Sequence, residues 1–457
     1  MHPLQTTNKH VRTNKLILGA FLFYFFGRLL YMLPKDIING INDWAYTDWL
    51  IDYSMGFTRR GLSGELIGLT STFVHPKVFI GILTWVIFGA VVFGYVRLIK
   101  RSLETLSPFL LTAILFLPCL LPFYLYDQGA FGRKETVGFL ILLWHLYILE
   151  SQVKYSGKGP PTNNYIRKLL VITVILLPAY LFIHESAFFL FVPVHIIITY
   201  SILRLDPSLS FTKRIAYLIF IYSPILLAFS AVLFFGRPSL EVALGICKRW
   251  EFAKALEAGS CRIRGKDIMW ALPSSFTALP WSFSQAASLV LSFSVKTTLA
   301  WITVLFILGF STIKIGIMTG YAITSDFTGN LEATLARQHQ NIMSYKYFLL
   351  PLLLSAPLYI IGWDIGRWFT VTCISYVMIM LSIEINYAEF KFGTGTAAKD
   401  KLPIQFHIGG EKVLLYYAKW VFLLSIVFFI RLPHCCIEYN VFSEPLQSLI
   451  KKIVSLL

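Results

Sequence analysis

The chain has 457 residues, 56% hydrophobic and only 14% charged, with a mean hydropathy of +0.67 and a formal net charge of +16. Soluble domains carry about 25% charged residues, and a soluble fold this apolar could not cover itself with polar groups. Composition therefore excludes a soluble enzyme and gives an integral membrane protein. The basic excess lies in short segments between apolar runs, where it serves topology and anionic head groups rather than nucleic acid.

A span needs about 20 mostly apolar residues. The first apolar run, Leu16–Leu33, follows a basic head (Lys9, Arg12, Lys15), has no small-residue cleavage site and carries Arg28, which reads as an uncleaved first span. Further along, the predicted spans are 14–33, 78–98, 108–126, 136–150, 168–184, 187–203, 214–235, 297–318, 347–362, 368–385 and 413–430, about eleven in all. The stretch 282–296 reads as an extra span or a re-entrant piece. The expected fold is all-α: a polytopic helical bundle in one transmembrane domain, 1–457, with no internal repeat.

With the N-terminus in the cytoplasm, the loops at 97–107, 151–168, 204–214, 320–346 and 385–412 lie inside, and most carry several Lys or Arg, the positive-inside pattern. Outside lie a first loop at 34–77, the short loop 127–135, the corner at 184–186, a large basic loop at 236–276, the corner at 362–368 and the C-terminal tail. Nearly every clustered acid–base motif falls on this outer side. Cys247 and Cys261 close a ring within the large loop, and an oxidising compartment allows a disulfide there, worth about 3 kcal/mol. The bases of that loop, Arg237, Lys248, Arg249, Lys254, Arg262, Arg264 and Lys266, run against the positive-inside trend and suit a phosphate, the alternative being that a loop of this length tolerates charge without affecting topology.

Asp43–Glu65 in the first loop holds Asp43, Asp48, Asp52, the pair Arg59–Arg60, and glycines at Gly56, Gly61 and Gly64. A carboxylate there can act as base on a substrate hydroxyl or hold a divalent cation, and arginines grip phosphate as planar forks. Four residues apart, Asp48 and Asp52 share a face if the segment is helical. The alternative is an interfacial helix whose acids and arginines pair with each other. Asp127 to Glu135, with Arg133 and Lys134, forms a second acid-then-base cluster, the alternative being a helix-capping loop. His184 and Glu185 at a corner offer a base with an orienting carboxylate, although neighbours on a helix point apart. Asp364 and Arg367, three apart, can pair so as to aim an arginine at phosphate, between the belt residues Trp363 and Trp368. His145, His195, Cys119 and Cys373 lie inside apolar runs and read as structural. No Walker, GxSxG, HExxH, Rossmann or zinc-spaced motif is present.

Taken together, the motifs Asp48…Asp52-Tyr-Ser-Met-Gly-Phe-Thr-Arg-Arg-Gly, Asp127…Arg133-Lys134-Glu135, His184-Glu185 and Asp364-Ile-Gly-Arg367-Trp resemble those of membrane proteins of bacterial surface-polysaccharide assembly, and more broadly GT-C-type glycosyltransferases and Wzy-type polymerases. The resemblance implies a GT-C-like helical bundle in the inner membrane. Its periplasmic face would carry a sugar from a polyprenyl (pyro)phosphate donor to a glycan acceptor, with an acid of the first outer loop, Asp48 or Asp52, as base. His184 and Glu185 are further catalytic candidates. Arg59, Arg60, Asp127, Arg133, Lys134, Asp364 and Arg367 are candidates for substrate and phosphate binding. A divalent cation is compatible with the carboxylates but not required by them. A flippase of lipid-linked glycan is the competing expectation, and a non-catalytic scaffold a third.

Overall fold

The structure, a computed structural model, describes residues 3–39, 41, 43–127, 129–155, 163–203, 208–236, 238–257, 261, 295–325, 347–361, 364–392, 410–433 and 441. Among these, all extended regular structure is helical, and six helices are long and apolar enough to cross a membrane: His10–Asn39, Pro76–Arg101, Tyr165–Ile183, Phe211–Phe235, Thr298–Thr319 and Ile365–Ser382. The chain is a multi-helix membrane protein.

The elements run α1 (Pro3–Asn39), α2 (Asp43–Trp49), α3 (Gly61–Thr70), α4 (Pro76–Arg101), α5 (Pro108–Phe116), α6 (Pro122–Tyr126), α7 (Glu135–Tyr155) and α8 (Asn163–Leu170). A π-helical stretch, Val171–Leu176, leads into α9 (Leu177–Ile183). Then follow α10 (Ala187–Leu190), α11 (Val192–Leu203), α12 (Phe211–Phe235), α13 (Leu240–Phe252), α14 (Val295–Ser325), α15 (Ala356–Ile361), α16 (Ile365–Phe392) and α17 (Gly410–Phe429). Helix starts follow local chemistry. Ser107, Ser210 and Ser239 each accept an amide N–H from the first turn of α5, α12 and α13, and Pro76 and Pro108 occupy the first turn, where no N–H is needed.

Several expected spans are not single crossing helices. The run 108–126 splits into α5 and α6, because Pro118 cannot continue a helix and Pro122 starts the next one. The run 347–362 breaks at Ser355, shortly before Pro357. Residues 136–150 lie within α7, which begins with buried Glu135, while Ala187–Leu203 and Tyr417–Phe429 are shorter apolar helices. The inner loops at 326–346 and 393–409, the segment 262–294 with Arg262, Arg264 and Lys266, the pair Cys435–Cys436, and Trp363 lie outside the described residues.

Helix α16 is the hub. Of its stretch Ile365–Ser382, 94% is buried, against α14 on one side and α7 on the other. Gly316 of α14 lies directly against the Tyr376 ring, so the two helices approach closely. By contrast Phe23, Phe234, Phe306 and Val421 stand exposed on the outer faces of α1, α12, α14 and α17, as lipid-facing side chains do. Arg28, inside α1, donates to the Leu125 carbonyl, which satisfies its charge within the bundle.

Candidate functional site

The ends of α2, α7, α9 and α16 converge with the turn before α3, and each contributes charge. Asp48 occupies the last turn of α2. The chain then turns sharply, bringing Gly64 of α3 so close to the Ile51 carbonyl that a Cβ would strike it; the Gly64 amide donates to that carbonyl at 2.9 Å. Arg60 stands at the start of α3 with φ 66°, a left-handed conformation uncommon for a side chain of this size.

From there the Arg60 guanidinium spans two carboxylates. Its Nη1 donates to Asp48 Oδ1 at 3.0 Å, while Nε and Nη2 grip Glu185 as a fork at 2.7 and 2.5 Å. Arg59 Nη1 lies 3.8 Å from the same Glu185. Lys134, fully buried, donates to the Asp48 carbonyl at 2.7 Å and to the Ile183 carbonyl at the C-terminus of α9 at 3.1 Å, with Asp48 Oδ1 at 3.6 Å. One residue on, Glu135 Oε1 meets His184 Nε2 at 3.1 Å and Arg367 Nε at 3.2 Å. Arg367 also pairs with Asp364 at 2.6 Å, as the spacing of three leads one to expect. Four motifs separated by more than 300 residues of sequence thus form one ion network.

Around it Arg59, Arg60, Arg133, Lys134 and Arg367 face Asp48, Glu135, Glu185 and Asp364, an excess of one positive charge before His184 is counted. Burial opposes ionisation of the acids, and the cations overcome it. Lys134 and Arg60 hold Asp48 below its ordinary value, Arg367 and the hydrogen bond from His184 do so for Glu135, and Arg60 and Arg59 for Glu185. Burial likewise pushes Lys134 down to about 8, despite Asp48 beside it. The cluster is closed except at two places, the Arg60 and Asp364 side chains, which are 16% and 28% exposed.

Among the described residues, buried polar atoms at or beside this cluster without a hydrogen-bond partner include Glu135 Oε2, His184 Nδ1, Ser186 Oγ, Tyr124 Oη and Trp368 Nε1. Orphaned buried donors and acceptors are rare, because each forfeits its hydration. The set holds both acceptors and donors, the polar groups that a ligand rich in hydroxyls uses.

Other expected site residues lie elsewhere. Asp48 and Asp52 do not share a helical face: α2 stops at Trp49, and Asp52 turns away to bind Ser54 and, at 2.7 Å, Arg249 of α13. Asp127 spends Oδ1 on the amides of Gly129 and Ala130, the capping-loop alternative, because its loop must turn tightly before α7. Arg133 donates Nε to the Gly129 carbonyl of that loop. His184 takes Glu135 as its partner, not Glu185, since adjacent side chains diverge. Sequence reasoning missed Glu135 as the pivot of the network; its place at the head of an apolar helix, directly after two bases, is the signal that marks it.

His145 and His195 sit inside the bundle with Nδ1 atoms 2.8 Å apart, and Cys119 approaches Thr312. Cys247 and Cys261 are joined in a disulfide that closes the C-terminal end of α13. Among the described residues, no group of three or more His, Cys, Asp or Glu is arranged to hold a metal ion. Comparison with protein-family models, with curated proteins and with solved structures finds no match to this chain.

Proposed function

We propose that the protein is a membrane glycosyltransferase or polysaccharide polymerase, moving a sugar from a polyprenyl (pyro)phosphate donor to a glycan hydroxyl. The supporting observation is the network itself: buried guanidinium, ammonium and carboxylate groups from four distant segments, with net positive charge and orphaned polar atoms, at one end of an apolar bundle. The excess charge suits a phosphate and the orphans suit sugar hydroxyls.

The chemistry divides between the groups. The acceptor oxygen attacks the anomeric carbon, the bond from that carbon to the phosphate oxygen breaks, and the hydroxyl proton passes to a base. Asp48 is a poor base, since Lys134 and Arg60 stabilise its anion. His184 fits better: Glu135 orients Nε2, and Nδ1 is uncommitted. Arg60 at one opening, and Arg367 behind Asp364 at the other, stabilise charge growing on the departing phosphate, and loss of such a donor costs roughly 3–4 kcal/mol of barrier. The Cys247–Cys261 disulfide favours placing this end in an oxidising compartment, the periplasm of a bacterial inner membrane.

The test is sugar incorporation by purified protein in vesicles carrying a lipid-linked donor. Turnover lost in His184→Ala and in Arg60→Ala is expected. Translocation of the donor without turnover makes the protein a flippase, and full turnover in both variants removes this site from the chemistry.

A further inference from the structure

Away from this site, α1 and α4 enclose a groove of about 510 Å³ whose walls are apolar, with Phe25, Phe26 and Leu29 on one side and Val92 and Phe93 on the other. Its floor opens at Gly89, where a Cβ would meet nothing within 4 Å. The groove runs along α4 from Trp85 to Lys100, about 22 Å at the helical rise, a length comparable to most of the depth of a bilayer's hydrocarbon.

One end is basic. Arg97 and Lys100 line it, and Arg101 is adjacent. Glu150 is shared by Arg97 at 3.6 Å and Arg101 at 3.3 Å, one carboxylate against three cations. The start of α1 adds to this. Asn14 donates to the carbonyls of Leu103 and Leu106 just past α4, which brings exposed Arg12 and Lys15 to the same end. This end is the far side of the bundle from the Asp48–Arg60 network, because α4 carries the chain away from it.

We infer that this groove is a binding site for one anionic phospholipid, its head group held by Lys100 and Arg97 and an acyl chain lying along α1 and α4 over Gly89. Charge complementarity selects the head group: a zwitterionic lipid fills the apolar channel equally well but brings no net charge to the collar. A bulk lipid touches a convex face, whereas this chain is walled on two sides. The inference is independent of the proposed glycosyl transfer.

The experiment is native mass spectrometry of the full-length protein released from nanodiscs of equal phosphatidylglycerol and phosphatidylcholine. One phosphatidylglycerol is expected to remain bound in preference to phosphatidylcholine. Lys100→Glu should lower that retention about tenfold, and Gly89→Phe, whose ring enters the channel from a Cβ position with nothing within 4 Å, should abolish retention of either lipid. Equal retention of the two lipids by the native protein overturns the inference, as does phosphatidylglycerol retention unchanged in both variants. Thermal unfolding of each variant serves as the folding control; if Gly89→Phe fails to fold, Lys100→Glu alone decides.

Discussion

Replacing Arg60 by methionine removes the centre of the ion network while keeping much of the side-chain volume. Arg60 makes contacts of 3.0 Å to Asp48 and 2.5–2.7 Å to Glu185, both nearly excluded from solvent. At an effective dielectric constant of 20 each contact carries about 5–6 kcal/mol of gross attraction, most of it offset by the desolvation of the charges. Breaking such a buried pair costs about 3–5 kcal/mol, since the surviving charge is left uncompensated. The lower half of that range applies here, because Asp48 keeps Lys134 at 3.6 Å and Glu185 keeps Arg59 at 3.8 Å. Equilibrium unfolding in detergent micelles should therefore show a loss of about 3 kcal/mol for Arg60→Met. The companion Glu185→Leu should lose a similar amount, and the double variant less than the sum, because the Arg60–Glu185 pair is then removed whole and neither of those two charges is left without the other. A loss below about 1 kcal/mol, or additive losses, would mean that water screens the network, and the electrostatic account of the site would fail.

Glu135 and Glu185 are held below the ordinary carboxylate range in the folded chain, so their contribution is complete above about pH 4.3 and drains away as the pH falls further; an acid unfolding series on the native protein and Glu185→Gln should show a shallower acid limb in the variant. Lys134 works in the opposite sense: its folded value of about 8 lies below the unfolded value of about 10.4, so the unfolded chain binds more protons between them and stability should rise with pH across that window. Lys134→Met should remove that rise, and a native profile that falls from pH 8 to 10 would contradict the assignment. Replacing both Cys247 and Cys261 by serine should cost about 3 kcal/mol of stability, measured by the same denaturant titration under non-reducing conditions.

The membrane character of the chain was legible from composition alone, and so was the convergence of the polar motifs, because charges at the ends of apolar helices have few places to go. What pairs with what was not legible. Neighbourhood in sequence suggested His184 with Glu185 and Asp48 with Asp52, whereas the side chains find Glu135 and Lys134 instead, reached through the packing of α7 and α9. Hydropathy also overcounted single crossing helices, since it registers apolarity but not Pro118 or the turn at Ser355. Glu135 escaped notice because a carboxylate at a helix start is ordinarily an exposed cap. Asp127 was the reverse, a conspicuous acid whose oxygen serves its own turn.

The left-handed backbone at Arg60 has one further consequence. At that φ a glycine would sit without strain, yet the chain keeps a long charged residue there, clamped by two acids from different helices. The two carboxylates therefore hold the turn before α3 as well as the guanidinium, so losing Glu185 removes a tether from the backbone and from the side chain together. An anion arriving at the exposed edge of Arg60 would compete with Glu185 for that same fork.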